Sequence, residues 1–475
     1  MMTNRYSAIV IALLSAAISA QDGQMRRPAV LMERDSVMKE QLFLGRELLG
    51  LPTANSVSIN VALSQSAEIY YEYGTEPGKY AEKTASPRAM DPGLRYVTVL
   101  DGLKPDTRYY YRMKYRTGRT IFLEGTEHSF HTQRSPGSAF NFAVEADPHL
   151  DENSGPQLYR DVLKSIGADK PDFLLDLGDT FMSDKLQEPS YAKIEDRALL
   201  FRNCFDEICH SVPLFLILGN HEGESGWPDR RSNNQVSGWD EKARLLYFPA
   251  PFPDKFFSGN PEKKGNYYSF VWGDALFVAL DPYRYTMDKP RPGKSDNWAF
   301  TLGKEQYEWL RKTLENSKTK YKFVFCHQLV GGGEEGRGGV EFSKTYEWGG
   351  LNADGSYGFA AHRPGWGKPI HKLLVDTGVN IFFHGHDHLF AKQERDGIIY
   401  QEVPQPSAKN TRNPAPDGEY GYKEGVILGS SGYLRVNVSA EKAVVEYVRR
   451  YLGKNATSDH PDGEIACRYE IIPAK

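Results

Sequence analysis

Hydrophobic and polar residues follow different periods in two parts of the chain. Between residues 55 and 132 apolar residues recur at every second position, as in the run Val57–Leu63, and this alternation predicts strands with one buried face. Turn sequences such as Glu76-Pro77-Gly78 separate the runs. Short strands at this spacing predict a small antiparallel β-sandwich.

Beyond residue 134 apolar strands alternate with amphipathic helices. Strands are predicted at residues 140–144, 173–177, 212–218, 275–280, 322–326 and 379–383. Helical stripes are predicted at Leu158–Ile166, Tyr307–Leu314 and Ile370–Leu374. The alternation predicts an α/β layered fold with functional loops at the strand ends. Hairpin-like strands return after Gly425.

The start of the chain has the pattern of an export signal. Arg5 precedes the apolar run Ala8–Leu14, and small residues continue to Ala20. A membrane anchor is the alternative, although the run is short for a span of about 20 residues and no later segment reaches that length. We therefore expect residues 1–20 to be a signal peptide and the remainder to act in the periplasm or outside the cell. Residues 21–51 are predicted to be a lead-in segment with a short helix near Met38–Leu49.

Composition excludes several classes of protein. The 475 residues carry a formal charge of -4, which gives no general electrostatic basis for binding nucleic acid or anionic lipid. Hydrophobic residues make up 40% of the chain and aromatic residues 12%, enough to build packed cores. Four cysteines are too few for a disulfide framework in a chain of this length.

Candidate metal ligands follow five of the predicted strands. These positions hold Asp147, His149, Asp179, Asn220, His327, His386 and His388, with His221 beside them. The carboxyl ends of parallel strands meet at one edge of a sheet, so we expect these side chains to converge. Carboxylate, imidazole and amide oxygen suit Zn, Mn or Fe, and a pair of ions needs a bridging carboxylate, for which Asp179 is the candidate.

The ordered motifs D-x-H, G-D, G-N-H-E, a strand-end H and G-H-x-H resemble the calcineurin-like metallophosphoesterase superfamily. The run Leu100–Arg112 (LDGLKPDTRYYYR) is similar to a turn and strand of fibronectin type III domains. The two together resemble the purple acid phosphatase-like branch. This resemblance implies a fibronectin type III-like domain at 52–134. It implies a catalytic domain at 135–475, built as a layered β-sandwich flanked by helices.

The resemblance also implies roles for single residues. Asp147, His149, Asp179 and His388 would hold one divalent metal ion, and Asp179, Asn220, His327 and His386 the other. His221 would face the substrate, where it stabilises the transition state or protonates the leaving group. Purple members have glycine in place of His149 and a tyrosine in place of Met182. The enzyme is therefore expected to be colourless or weakly coloured.

Other residues are weaker candidates for the site. The segment Gly331–Gly339 is predicted to be either a flexible surface loop or a mobile lid that presents Arg337 to a phosphate. The insert Tyr346–Gly367, with His362 and Arg363, is expected to wall the pocket. Further expectations concern four residues near the motifs: Asp387 and Glu222 as orienting or structural carboxylates, His384 as a hydrogen-bonded strand-end histidine, and His371 as an exposed helix residue.

These observations favour an exported hydrolase of small phosphomonoesters, acting through attack by a metal-bridging hydroxide. A phosphodiesterase or nucleotide hydrolase on the same site is the alternative, because metal ligands do not distinguish the two. A binding protein on a non-catalytic form of the scaffold is the third hypothesis, and the intact ligand set argues against it. No nucleic-acid surface is predicted. The sequence leaves the metal identities, the natural substrate and the oligomeric state open.

Overall fold

A computed structural model describes residues 42–473, except residues 86, 94, 223–234, 287–296, 334–335 and 415–418. The predicted signal peptide and most of the predicted lead-in segment lie outside the described residues. No helix in the described ranges is both long enough and apolar enough to cross a bilayer.

The first part of the described chain is an all-β sandwich. Its strands are β1 (Phe43–Gly50), β2 (Val57–Leu63), β3 (Ala67–Gly74), β4 (Glu82–Lys83), β5 (Arg88–Met90), β6 (Arg95–Leu100), β7 (Arg108–Arg116), β8 (Leu123–Glu124) and β9 (His128–His131). One sheet has the order β1-β2-β6, and β3 and β7 are the central pair of the other. Residues from both sheets, including Ile59 and Tyr111, form one core. This front sandwich is compatible with the fibronectin type III-like fold expected from the sequence.

The second part contains two larger sheets. One has the order β12-β11-β10-β21-β22-β23, and the other has the order β13-β14-β15-β16-β17-β19-β18-β20. Strands of the first are β10 (Phe140–Glu145), β11 (Leu174–Asp176), β12 (Leu214–Leu216), β21 (Gly432–Val438), β22 (Ala443–Arg449) and β23 (Ile465–Ile471). Strands of the second are β13 (Ser258–Gly259), β14 (Tyr268–Trp272), β15 (Ala275–Ala279), β16 (Tyr321–Phe325), β17 (Ile381–His384), β18 (Leu389–Arg395), β19 (Ile398–Glu402) and β20 (Val426–Gly429).

A phenylalanine-rich core joins these two sheets face to face. Phe142, Phe173 and Phe215 of the first sheet pack with Phe277 and Phe325 of the second. Helices cover the outer faces: α1 (Pro156–Ala168), α2 (Tyr191–Phe205), α3 (Gln235–Tyr247), α4 (Lys304–Asn316), α5 (Tyr346–Gly349), α6 (Phe359–His362) and α7 (Ile370–Asp376). The α/β layered class, the six predicted strands and the three predicted helical stripes are confirmed.

The front sandwich and the layered part form one compact unit. At their junction Arg202 of α2 is fully buried, and its guanidinium donates hydrogen bonds to Asn60 Oδ1 at 2.8 Å and to the carbonyl oxygen of Arg46 at 2.6 Å. It also donates to the carbonyl oxygens of Asn60 and Tyr247. These residues are called the junction cluster below. The domain boundaries predicted from the sequence stay predictions.

The expected helix near Met38–Leu49 is wrong for its described part, because Phe43–Gly50 forms strand β1 of the front sandwich. Both faces of this strand are covered, so its burial pattern lacks the alternation of a half-exposed strand. Leu49 faces the sandwich core and also donates its backbone N–H to the carbonyl of Cys209 in the layered part.

Candidate metal centre

The predicted ligands all follow the carboxyl ends of strands. Asp147 and His149 come after β10, Asp179 comes after β11, and Asn220 comes after β12. Strands β10, β11 and β12 are parallel neighbours, as are β16 and β17. His327, His386 and His388 follow β16 and β17. The two sheets of the sandwich therefore bring their ligand-bearing loops to the same site.

Two groups of side chains could each hold a metal ion. The first metal subsite consists of Asp147, His149 and His388, and the second consists of Asp179, His327 and His386; within each group the ligand atoms lie within 4.8 Å of one another. Asp179 faces both subsites, because its Oδ2 lies 3.7 Å from His149 Nε2 and 3.2 Å from His327 Nε2. This is the geometry expected of a carboxylate that bridges two ions.

Several potential ligand atoms are buried without a hydrogen-bond partner in the described chain. They are Asp147 Oδ1, His149 Nε2, Asn220 Oδ1, His327 Nε2 and His386 Nε2. Leaving a buried polar atom unsatisfied costs about 1–3 kcal/mol, so such a concentration needs an explanation. All five belong to predicted ligands, and their chemistry fits a pair of divalent ions.

The other ring nitrogens show why the Nε2 atoms are available. His327 Nδ1 donates to the carbonyl oxygen of Leu177 at 3.0 Å, so Nε2 is the ring nitrogen that remains for a metal ion. His149 Nδ1 lies 3.3 Å from Asp151 Oδ2. Hydrogen bonds of this kind fix the orientation of a histidine that ligates a metal.

The backbone at the ligands is unusual. Asp147, His149, Asp179, His386 and His388 all have positive φ values, between 49° and 83°. Such a conformation costs a residue other than glycine about 1–3 kcal/mol and persists only where surrounding contacts enforce it. Two glycines allow the loops to approach: a Cβ on Gly219 would lie 2.3 Å from Asp179 Oδ1, and one on Gly385 would lie 2.7 Å from Asp147 Oδ2.

The charges of the site are strongly coupled. Burial raises the pKa of the Asp179 carboxyl, but the His327 and His221 imidazoles outweigh burial and hold it well below its usual range. Burial lowers the pKa of His327, whereas Asp179 and Asp147 raise it to about 9. Burial, followed by the charges of Arg337 and His327, holds the pKa of His386 well below its usual range. His386 is therefore neutral, the form in which imidazole binds a metal.

His221 lies beside the two subsites and is oriented by a residue that the sequence analysis missed. Its Nδ1 lies 2.8 Å from Asp184 Oδ1, and because a carboxylate accepts, the ring nitrogen is the donor. Its Nε2 lies 3.8 Å from Asp179 Oδ2, and its side chain keeps 12% of its surface exposed. His221 is thus placed to reach a molecule bound at the subsites.

The two neighbouring carboxylates hold loops rather than ligand rings. Glu222 accepts hydrogen bonds from the backbone N–H groups of Asp179, Thr180, Phe181 and Gly219. Asp387 accepts from the Gly338 backbone N–H at 2.7 Å and from the Tyr422 hydroxyl at 2.9 Å. His384 Nδ1 lies 2.5 Å from Glu402 Oε2, while its Nε2 lacks a partner in the described chain.

The described residues of the glycine-rich segment are packed against the protein, so the alternative of a flexible surface loop is wrong for them. Its described glycines are buried or partly buried, and a Cβ on Gly339 would lie 1.9 Å from Gln393 Oε1. Arg337 donates to the carbonyl oxygen of His386 and to Asp387 Oδ1, both at 3.0 Å. Arg337 therefore lies next to the metal centre and is held in place there.

Among the described residues, His362 and Arg363 contact groups other than the candidate metal ligands. His362 stacks on Trp298 with ring centroids 4.3 Å apart. Arg363 forms an ion pair with the buried Glu347. Their predicted role in substrate binding stays a prediction. The expected exposure of His371 is wrong: its ring is buried between Tyr400 and Asp396, which it contacts at 2.6 and 2.8 Å.

Comparison with known proteins agrees with this geometry. The family model for calcineurin-like phosphoesterase matches residues 140–390, more than half of the chain. The protein belongs to the calcineurin-like phosphoesterase family.

Within that family the chain resembles purple acid phosphatases. It is 22% identical to rabbit (Oryctolagus cuniculus) tartrate-resistant acid phosphatase type 5 over 60% of this chain and 77% of the relative. It is 23% identical to the Arabidopsis thaliana protein named probable inactive purple acid phosphatase 1, over 66% of this chain and 45% of that relative. The chain thus spans less than half of the Arabidopsis protein.

A solved structure of PhoD shares the fold. Its TM-score is 0.66 at 17% identity, and the match covers 91% of each chain. The structural likeness thus extends over the front sandwich as well as the layered part.

Proposed function

We propose that the protein is a metal-dependent phosphohydrolase that cleaves phosphomonoesters. The observation that carries the proposal is that six potential ligands from loops remote in sequence form two adjoining groups, with several of their ligand atoms buried and unpartnered. Nothing in the described chain satisfies these atoms, and two divalent ions would. We do not expect so complete a set in a protein that has lost catalysis.

The residues of the site have two roles in this proposal. Seven side chains would hold the metal ions, and His221 would donate a proton. Asp147, His149 and His388 would hold one ion; Asn220, His327 and His386 would hold the other; Asp179 would touch both. Ions held there lower the pKa of a bound water toward neutrality and offset negative charge on the phosphoryl group. His221 is held by Asp184 through Nδ1, so its Nε2 is directed to hydrogen-bond the phosphoryl group or to protonate the leaving oxygen.

Hydrolysis of p-nitrophenyl phosphate is the test of this function. We expect activity with the monoester that disappears after chelation and returns with Zn²⁺, Mn²⁺ or Fe²⁺. His221→Ala should lower kcat by about 10²–10⁴-fold without changing the metal content, because general acid catalysis contributes that much. Preferential cleavage of the bis-ester would replace this proposal with a phosphodiesterase. Activity that survives both chelation and His221→Ala would overturn it.

We also expect specific properties of the enzyme's colour, substrate contacts and export. Met182 stands where a purple enzyme has its tyrosine, so the metal-loaded protein should lack a strong visible charge-transfer band. Arg337 has a fixed position beside the centre and is the better candidate for contact with substrate than His362 or Arg363. Residues 1–20 should be removed on export, which N-terminal sequencing of protein recovered from the periplasm or medium would test.

A further inference from the structure

Helix α2 contacts the metal-ligand loops near its middle. Arg197 of this helix donates from its guanidinium to the carbonyl oxygen of His149 at 2.6 Å and to that of Phe181 at 2.8 Å. One side chain therefore ties together the loop that carries His149 and the loop that follows Asp179. Both His149 and Asp179 have the left-handed backbone that surrounding contacts must enforce.

The same helix is docked on the front sandwich five residues further on. Arg202 donates to Asn60 Oδ1 and to the carbonyl oxygen of Arg46, which both belong to the front sandwich. A Cβ on Gly45 would lie 2.6 Å from Arg202 Nε, so the strand and the guanidinium are in close contact. With a rise of 1.5 Å per residue, the two arginines are separated by about 7.5 Å along the helix axis.

The segment after the helix adds to this docking surface. Leu49 N–H donates to the carbonyl of Cys209, and the Tyr111 hydroxyl donates to the carbonyl of His210, both at 2.8 Å. The front sandwich thus contacts α2 at Arg202 and just after the C-terminal end of the helix. The metal loops contact the same helix at Arg197, nearer its N-terminus.

We propose that α2 couples the front sandwich to the first metal subsite, with Arg197 as the positioning residue that holds the backbone of His149. This inference rests on the metal-holding role proposed above, and it gives the front sandwich a part in positioning the first metal subsite. Arg197 itself binds no metal. It fixes the backbone carbonyl of His149, and this keeps the His149 imidazole directed at the subsite.

Cobalt titration of the metal-free full-length protein tests the proposal, with the d–d absorption of bound Co²⁺ as the readout. Wild type should take up two ions. Arg197→Gln should bind one ion as wild type does and the other about 10–100-fold more weakly, as is usual when a group that orients a ligand is lost, with an altered spectrum for that ion. Arg197→Lys keeps a donor and should recover part of the affinity.

Arg311→Gln is the control. Arg311 lies on helix α4 and donates to Glu308 and Glu315 of the same helix, so these bonds reach neither α2 nor the metal loops. It should bind both ions as wild type does. Asn60→Leu removes one of the three acceptors that the front sandwich offers to Arg202, with a side chain of the same branched shape, and should weaken the same ion as Arg197→Gln, by a smaller factor.

The outcomes separate this inference from the proposed function. A wild type that takes up no cobalt overturns both. A wild type with two ions together with an Arg197→Gln variant of unchanged affinity and spectrum overturns the inference alone. If Arg197→Gln fails to fold by circular dichroism, Arg197→Lys and Asn60→Leu decide, and wild-type cobalt binding in both overturns it.

Discussion

The metal centre and the junction cluster are both buried and polar, yet their hydrogen bonding is opposite. At the metal centre, the ligand atoms of six side chains lie in two adjoining groups, and five atoms of predicted ligands have no partner in the described chain. At the junction, the Arg202 guanidinium donates to four oxygens, and only its Nε lacks a partner among the described residues. Unpartnered groups aimed at one point indicate a ligand, whereas a charge surrounded by acceptors indicates architecture.

Asp179→Asn should have the largest effect, and it should act on metal binding and catalysis rather than on the fold. Loss of the bridging carboxylate removes several kcal/mol of transition-state stabilisation, which corresponds to a fall in kcat/KM of roughly 10³-fold. The circular dichroism spectrum should be unchanged. Asp172→Asn is the control: this buried carboxylate accepts from Arg134 and Trp272, so its loss should reduce stability but leave kcat intact. Full activity in Asp179→Asn would contradict the assignment.

Arg202→Met should act on stability. It leaves the carbonyl oxygens of Asn60, Arg46 and Tyr247 buried without this donor, and each buried acceptor left unsatisfied costs about 1–3 kcal/mol. Urea unfolding should show this loss. The partly exposed Arg160 pairs with Glu207, and Arg160→Met should cost less than about 1 kcal/mol. Equal losses in the two variants would remove the distinction drawn for the junction.

The junction should also be sensitive to acid. His128 stacks on His210 with centroids 4.0 Å apart, and burial, the His210 ring and Arg46 lower the pKa of His128 to about 3. Burial also lowers the pKa of His210, against which the backbone and charge of Glu207 act. A lowered pKa means that the unfolded chain takes up the proton first, so stability is full above pH 6.5 and falls as the pH drops toward 3.

His128→Gln cannot take up this proton and should lose less stability in acid. On acidification below pH 6.5, the variant should lose less unfolding free energy than wild type, by roughly 1 kcal/mol per pH unit. Urea unfolding of both proteins at pH 7.0 and pH 4.5 measures it. Parallel losses in wild type and variant would show that the stacked rings do not limit acid stability.

Substitutions of two carboxylates that contact histidines should give the smallest effects. One should alter kcat and the other should alter metal affinity. Asp184 contacts His221, so Asp184→Asn should lower kcat about tenfold with unchanged metal affinity. Asp151 contacts His149, so Asp151→Asn should weaken metal binding about tenfold instead. Steady-state kinetics and metal titration of both variants separate the roles. The same response in both would mean that His149 and His221 are not functionally distinct.

The residues of the candidate metal centre could be expected to lie together because each stands at the end of an apolar strand, where the sequence pattern itself shows both the strand and the polar residue after it. The bonds that orient these residues were not predictable. Asp184 precedes His221 by 37 residues and Arg197 follows His149 by 48, and no motif marks either of them. Their roles depend on how the loops fold back on one another, which local periodicity does not record.

Two errors have the same physical origin. Strand β1 was predicted to be helical because its apolar and polar residues do not alternate. They do not alternate because both faces of the strand are covered, one of them by the layered part. A flexible surface loop was one of the two predictions for residues 331–339, although the described glycines there are buried and leave no room for a Cβ, as at Gly339. Glycine occurs both in flexible loops and where two segments pack closely. Only the surrounding residues, here Gln393, show which of the two applies.

The left-handed backbone at five ligands has a consequence for protein engineering. Grafting these side chains onto a regular helix or strand of another scaffold would present the same chemistry from the wrong directions. A successful transplant would have to carry each strand end together with its turn, including Gly219 and Gly385, as one block. The smallest portable form of this centre is therefore a set of loops, not a list of side chains.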